Sequence, residues 1–584
     1  MDRSAVTGIA GGAAAALLAM LTLGGTALAA MPDPATRQYC ASRFAPQALP
    51  ERGDLPRGSA NRPVLLGKPA ADIAAGTVMR QMAEPAPAAP VPPAPGILRE
   101  REEAPGWGER YPATQPSGVV ETARQPRSTF AADVDTASLS NVRRWLRGGR
   151  LPPPDAVRPE ELVNAFDYAY PAPGSRAEGF RPTAALFPAP WRDDRHLLAI
   201  GIKGWTMPDA ERPDANLVLL LDVSGSMRAA EKLPLVKQAF CLLLHGLEAR
   251  DTVSIVTYAS GTGTALPPTS AAEREKVLAA LEALSAGGST AGASGLELAY
   301  AAARMARRPG AADRVIVATD GDFNIGPSDT AALTALIRRQ AADGIDLNLV
   351  GVGNGNVRDD LMQALAQNGN GIAVQLDGIE EAERVFVRDL TGSLVTVARD
   401  VKIQVEFNPA RVTSWRLIGY ETRALEVADF RDDAVDAGEI GSGHTVTALY
   451  EVTLAGLDPS PFPPLRYGPQ PAPPAAAEAE FARIALRFVP GDGGAAREVV
   501  RTVAAADLVT DPAALPHDRR FAAAVAWFAR KLRGDSLGDG KAAGGGWAAL
   551  IRLADNARGP DPDGRRAGLV DLIRRAARLD PAGG

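Results

Sequence analysis

An unbroken apolar run that stops at a carboxylate constrains this chain more than any other feature. Asn216-Leu217-Val218-Leu219-Leu220-Leu221 leads directly into Asp222-Val223-Ser224-Gly225-Ser226-Met227. Six consecutive apolar or amide residues fit a strand covered on both faces of a parallel sheet, since a half-exposed strand would alternate. After Met227 the period becomes helical, with Leu233, Val236, Phe240, Leu243 or Leu244, and Leu247 on one stripe. The oxygens of Asp222, Ser224 and Ser226 therefore stand at a strand-to-helix turn. In an open α/β sheet, the carboxyl ends of the strands form the crevice where ligands bind.

Two later segments supply further oxygens. Gly287-Gly288-Ser289-Thr290 lies between two helical patterns, where glycine lets the backbone come close and leaves the Thr290 hydroxyl free to point inward. Arg314-Val315-Ile316-Val317-Ala318-Thr319-Asp320-Gly321 is a second buried strand ending in a carboxylate. Asp222, Ser224, Ser226, Thr290 and Asp320 make an all-oxygen set of low charge. It suits Mg²⁺, with Mn²⁺ or Ca²⁺ as alternatives, and suits zinc or copper poorly because no His or Cys takes part. Alone, the Asp-x-Ser-x-Ser triplet can also simply cap the helix that follows. Thr290 and Asp320, in that order and context, turn the reading toward a metal.

With these residues in view the chain resembles a known family. The five oxygen positions resemble the metal-ion-dependent adhesion site of von Willebrand factor type A domains, with residues 214–397 as that domain. The flanks resemble bacterial exported proteins of the YfbK type, through Ala132-Asp133-Val134-Asp135-Thr136-Ala137-Ser138, Ala156-Val157-Arg158-Pro159-Glu160-Glu161-Leu162-Val163-Asn164 and the segment from Asp436 to Glu451. The resemblance runs from about residue 127 to 580. It implies a fold and a metal, and implies no biological role.

The pattern itself predicts an α/β fold with a doubly wound, mostly parallel sheet, flanked by a β-rich domain and C-terminal helices. Strands are expected at Leu217 to Asp222, Thr252 to Tyr258, Arg314 to Asp320, Asp346 to Val352 and Ile372 to Leu376, alternating with helices. After Ala398 the period changes to two, with Val401, Ile403, Val405 and Phe407 alternating with polar residues. The expected divisions are 1–29, 30–126, 127–205, 214–397, 398–510 and 511–584. The first is a signal peptide, the second a disordered Pro/Ala-rich linker, and the third an α+β flank. The last two are the β-rich domain and a helical region. Short strands before residue 205 and longer ones after 398 suggest that both flanks assemble into one β-domain from which the metal-site domain emerges.

Residues 1–30 carry Arg3, then an uncharged Ala, Gly and Leu-rich run closing with Ala27-Leu28-Ala29, which a signal peptidase can cut before Ala30. This points to export into the periplasm or cell envelope, the alternative being an uncleaved anchor in the inner membrane. Pro85 to Gly96 reads as a polyproline-like spacer. Of the two cysteines, Cys241 falls among Phe240 and Leu242 to Leu244 and reads as a small core residue, so no disulfide to Cys40 is expected.

A net charge of −6 and the lack of a basic run interleaved with aromatics disfavour nucleic acid. Gly534-Asp535-Ser536-Leu537-Gly538 fits a nucleophile pattern but follows a helix, not a buried strand. His196, His245, His444 and His517 are scattered without ligand spacing, and the acidic run from Asp429 to Glu439 does not match a calcium loop. The favoured function is a binding module in which a partner protein presents Asp or Glu to the metal. An Mg²⁺-dependent enzyme or enzyme subunit, or a structural envelope protein, is the alternative.

Overall fold

The computed structural model describes residues 33–46, 111, 113–132, 135–288, 294–321, 329–353, 358–389, 392, 394–433, 435, 437–456, 479–491, 493–535 and 546–580. Ahead of the central domain come α1 (Pro34–Arg43), β1 (Val120–Glu121), β2 (Arg127–Ala131), α2 (Ala137–Arg147), α3 (Pro159–Asn164), β3 (Phe180–Pro188) and β4 (His196–Gly204). The central domain comprises β5 (Ala215–Asp222), α4 (Leu233–Gly246), β6 (Thr252–Tyr258), β7 (Thr262–Ser270), α5 (Arg274–Ala283), α6 (Gly295–Met305) and β8 (Ala312–Thr319). It continues with α7 (Thr330–Ala342), β9 (Ile345–Val352), α8 (Asp359–Asn368), β10 (Ala373–Leu376) and α9 (Ile379–Glu383). Behind it follow β11 (Thr396–Phe407), β12 (Val412–Leu417), β13 (Ala424–Leu425), β14 (Gly438–Gly441), β15 (Thr445–Leu454), β16 (Glu480–Pro490) and β17 (Arg497–Ala504). The last elements are α10 (His517–Arg533), α11 (Trp547–Asn556) and α12 (Arg565–Leu579).

The central sheet has the order β10-β9-β8-β5-β6-β7 and is parallel except at its edge, where β7 runs antiparallel to β6. All eight residues of β5 are buried, as the unbroken apolar run requires. Leu217, Leu219 and Leu221 share one core with Phe240 and Leu243 of α4. Val218 and Leu220 share another with Leu296, Ala299 and Tyr300 of α6. The expected doubly wound α/β fold is present. The edge strand β7 was not anticipated, and Pro267 and Pro268 fit there because proline, which cannot donate to a ladder, is tolerated on an edge.

Two antiparallel sheets form a sandwich from both ends of the described chain. One has the order β1-β12-β15-β4-β3 and the other β13-β2-β11-β16-β17, with β14 added on β11. In the second, Ile403 of β11 stands opposite Phe130 of β2. In the first, Leu449 of β15 stands opposite Ala199 of β4. Phe130, Ile403 and Ile484 meet Ile200, Trp415 and Tyr450 in a common core. The flanks thus assemble into one body, and the central domain is inserted between β4 and β11. Helices α10, α11 and α12 cover the outer face of the first sheet, where Phe521, Val525 and Phe528 pack with Leu197 and Leu449.

Buried ion pairs fasten the inserted domain to its mount. Arg158, 1% exposed, pairs with Asp359 of α8 at 2.8 Å and with Glu161. Arg143 of α2 reaches Asp377 just after β10 at 2.5 Å, and Asp135, held by Arg423 at 2.8 Å, accepts from the Ala373 amide of β10 at 3.2 Å. Such pairs cost desolvation, but removing one partner strands a buried charge, so they resist sliding more than they add stability.

Two sequence expectations are corrected. Within 30–126, expected to be a linker throughout, Pro34–Arg43 forms α1, whose start is capped by Asp33 accepting from the Thr36 amide at 2.6 Å. Cys40 is joined to Cys241 by a disulfide across 201 residues of sequence, with the Cα atoms 5.7 Å apart. The polar sequence of α1 has no apolar periodicity to reveal docking. What docks it is the buried Cys40 and Phe44 against α4, together with Arg43 paired to Glu275 and Glu282 of α5. The signal peptide 1–29, the Pro85 to Gly96 spacer and the Pro/Ala-rich loop at 459–477 lie outside the described residues.

At the amino end of the parallel strands a cavity of about 220 Å³ separates the central domain from the sandwich, lined by Arg314, Asn370, Arg423, Glu439 and His444 among others. Burial first, and then the nearby Asp346, push the Glu439 carboxyl up to about 7 against the pull of Arg399 and Arg314. Glu439 therefore holds its proton more tightly folded than unfolded. Its contribution to stability is complete below its ordinary value of 4.5 and is lost as pH rises through about 7. Glu439→Gln should gain about 1–2 kcal/mol over the natural chain at pH 8 and little at pH 5, measured by denaturant unfolding at both pH values.

The disulfide gives a second prediction. The denatured, unreduced protein should show no free thiol, because both cysteines of the chain are consumed. Cys40→Ser should destabilise by about 2–4 kcal/mol, and reductant should then have no further effect on the melt.

Candidate metal centre

Strand order explains where the oxygens gather. From β5 the chain moves outward through β6 and β7, then returns to the other side of β5 for β8, β9 and β10. The reversal lies between β5 and β8, which run parallel with Leu221 opposite Ala318. A crevice opens at the carboxyl end of such a switch point because the following helices leave in opposite directions. Asp222 ends β5 and Asp320 follows β8, so both carboxylates stand on this rim.

Asp222 is fully buried, and one of its oxygens is fixed by its own loop, the Ser224 amide donating to Oδ1 at 2.8 Å. Its Oδ2 is buried with no hydrogen-bond partner. Burial raises the Asp222 pKa above the usual carboxylate range, opposed by the Ser224 hydrogen bonds and reinforced by the charge of Asp320. Asp320 accepts from Lys232 Nζ at 2.7 Å through Oδ2, while its Oδ1 is buried and unpartnered. Tyr258, at the end of β6, is buried beside them. Burial, then the neighbouring Asp222, holds its hydroxyl proton well past the ordinary phenol range.

The hydroxyls follow from a tight loop. Ser224 Oγ lies 3.0 Å from Ser226 Oγ, with Ser224 buried and Ser226 exposed at the rim. The loop is laced to the Gly287–Gly288 segment by the Gly225 amide donating to the Gly288 carbonyl at 3.1 Å and the Gly287 amide donating to the Val223 carbonyl at 2.8 Å. Gly288 has φ +82°, and a Cβ there would lie 2.4 Å from Ser260 Oγ, so only glycine fits. This lacing brings the chain to the rim just before Ser289 and Thr290, which lie outside the described residues.

Four of the five expected positions, Asp222, Ser224, Ser226 and Asp320, are therefore described at one edge of the sheet. Two buried carboxylate oxygens without partners are what a hard cation needs, since an unsatisfied buried oxygen is otherwise costly. The donor set fits Mg²⁺, Mn²⁺ or Ca²⁺. Sequence reasoning missed Lys232 and Tyr258, which reach the rim from the residue before α4 and from the end of β6 and carry no local pattern that marks them. His245 stands apart, with Nδ1 2.8 Å from the Cys241 carbonyl, beside the disulfide. Asp535 of the Gly534 to Gly538 stretch is held by Arg416 and Arg530, both at 3.1 Å, and Ser536 to Gly538 lie outside the described residues.

Residues 216–387 match the von Willebrand factor type A domain, 106–199 match von Willebrand factor, and 392–579 match the C-terminal part of uncharacterized protein YfbK. The chain is 39% identical over 474 residues to uncharacterized protein YfbK of Escherichia coli (strain K12), covering 80% of this chain and 81% of that one. A shorter match, 36% over 124 residues and 21% of either chain, is to the magnesium-chelatase 60 kDa subunit of Rhodobacter capsulatus. Among solved structures, a von Willebrand factor type A protein from Catenulispora acidiphila aligns over 70% of this chain and 91% of its own, with TM-score 0.38 and 16% identity.

Asp222→Asn and Asp320→Asn should each weaken Mg²⁺ binding by about a hundredfold in calorimetric titration. In chelator, Asp222→Asn should melt no lower than the natural chain, because it replaces a buried carboxylate oxygen that has no partner.

Proposed function

Because the chain belongs to the YfbK family of von Willebrand factor type A proteins, we propose that it is a metal-dependent protein-binding module of the bacterial cell envelope. The observation that carries this reading is the pair of buried, unpartnered oxygens on Asp222 and Asp320 at the carboxyl ends of the adjacent central strands β5 and β8. A divalent cation, Mg²⁺ first, supplies there an electrophile with a coordination position left for a carboxylate from outside. The chain's own part is to orient. The Ser224 amide fixes Asp222, the Ser224 and Ser226 hydroxyls line the loop, and the Arg158 and Arg143 pairs hold the inserted domain on the flanking body. The ligand is a protein presenting Asp or Glu, with the surrounding loops choosing among such partners.

Export accords with the disulfide as well as with the apolar run at residues 4–30. A Cys40–Cys241 bond persists in an oxidising compartment and is rare where thiols are kept reduced. Among the described residues no helix is long and apolar enough to cross a membrane.

Envelope proteins captured by the natural chain should be lost with chelator and with Asp222→Asn. Removing the carboxylate's contact costs about 2–5 kcal/mol, enough to abolish a micromolar complex. Identical captures in all three conditions would refute the binding mechanism, and metal-dependent turnover of a phosphate ester would move the assignment to an enzyme.

A further inference from the structure

One cation is already at the rim. Lys232 Nζ lies 2.7 Å from Asp320 Oδ2, with the lysine side chain 14% exposed and the aspartate side chain fully buried. Its backbone occupies the position just before α4, where an acceptor side chain is favoured and a positive charge opposes the helix dipole. No side chain caps that helix start. A residue that breaks a local rule without local compensation points to a task elsewhere. The rest of the chain makes room for it. Gly353, at the end of β9, has φ +77°, and a Cβ there would lie 2.4 Å from Lys232 Cε and 2.9 Å from its Cγ. The Gly353 carbonyl is fixed by Gln375 Nε2 donating at 3.1 Å. The lysine stem thus lies in a cradle that only glycine leaves open, and the cradle aims the ammonium at Asp320.

We infer that Lys232 is a tethered counter-cation that competes with the divalent metal for Asp320 and so sets the metal concentration at which the site fills. The inference rests on the metal reading of the site. Asp222 and Asp320 bring two negative charges under one rim, and the ammonium neutralises one of them. A divalent cation drawing on Asp320 brings two positive charges next to the ammonium. Like charges a few ångströms apart in a largely buried site repel far more than in water. The ammonium therefore leaves Asp320 as the metal enters, and its four-carbon stem lets it swing to solvent without moving α4. Affinity for metal is reduced by the fraction of molecules in which the lysine holds Asp320, as for any ligand that must wait for a competent state. Displaced, Lys232 also adds a positive charge to the face that receives an acidic partner.

The test is calorimetric titration of the purified full chain with Mg²⁺ alone, comparing the natural protein with Lys232→Met and Lys232→Gln. Both variants should bind Mg²⁺ tighter by about tenfold or more, since the competitor is gone. Their melting temperature in chelator should fall below that of the natural chain, and Mg²⁺ should raise it by a larger increment. Equal or weaker Mg²⁺ affinity in the variants overturns the inference alone, whereas no Mg²⁺ binding to any of the three overturns the metal reading with it. A measurement on the natural chain keeps the inference testable if the variants fail to fold. An amine-acylating reagent, read by mass spectrometry, should label Lys232 several-fold faster in saturating Mg²⁺ than in chelator. Equal labelling in the two conditions overturns the displacement.

Discussion

The burial of β5 on both faces is the constraint from which the rest follows. A strand flanked by helices on each side has no solvent-facing position, so its eight residues must be apolar or satisfied within the core. Asn216 shows the exception handled, its amide donating to the Ala303 carbonyl and to Asp313 Oδ1. The first carboxylate the strand carries, Asp222, must then sit where the sheet ends. Asp320 reaches the same rim because β8 is the parallel neighbour on the other side of the chain reversal. Two like charges meet there, and each retains one oxygen with no protein partner. Their presence makes sense only if something positive visits the rim, be it the Lys232 ammonium or a metal.

A site of this kind also needs a stable frame, and the sandwich provides one. In its second sheet β11 pairs with β2, and in its first β15 pairs with β4, so strands from before and after the inserted domain share a hydrogen-bond ladder in each sheet. The inserted domain therefore enters and leaves through paired strands, and both exits are fixed. Arg158 and Arg143 add buried charge pairs across the boundary, each lost only by stranding a partner in a dry setting. A cavity of about 220 Å³ interrupts this packing at the amino end of the sheet. Beside it the charge of Asp346 acts on Glu439 across the boundary, so the joint should respond to pH.

The N-terminal helix shows how far local reading goes. Pro34–Arg43 has a capped start and a buried Cys40, but its other positions are mostly polar, so periodicity gives no sign of a docked face. Cys241, read as a core residue, is indeed fully buried, and it is also bonded. The two descriptions are compatible because Cys40 and Phe44 join the same apolar cluster as Cys241. A contact separated by 201 residues leaves no trace in the neighbourhood of either cysteine.

The alternating strands and helices, the change of period after Ala398 and the positions of Asp222, Ser224, Ser226 and Asp320 were all legible in the sequence. Each depends on local patterning, in which burial on two faces, one face or a helical stripe leaves a different spacing of apolar residues. The edge strand β7, the pairing of β2 with β11, the disulfide and the reach of Lys232 across Gly353 to Asp320 were not. These are decided by which distant segments come together, and a lysine before a helix or a glycine after a strand looks the same wherever it points. The amino-acid sequence by itself therefore determined the type of each long element and the oxygen chemistry at the strand ends. Tertiary structure alone decided which charge faces that chemistry, because an ion pair depends on distance in space and not on separation along the chain.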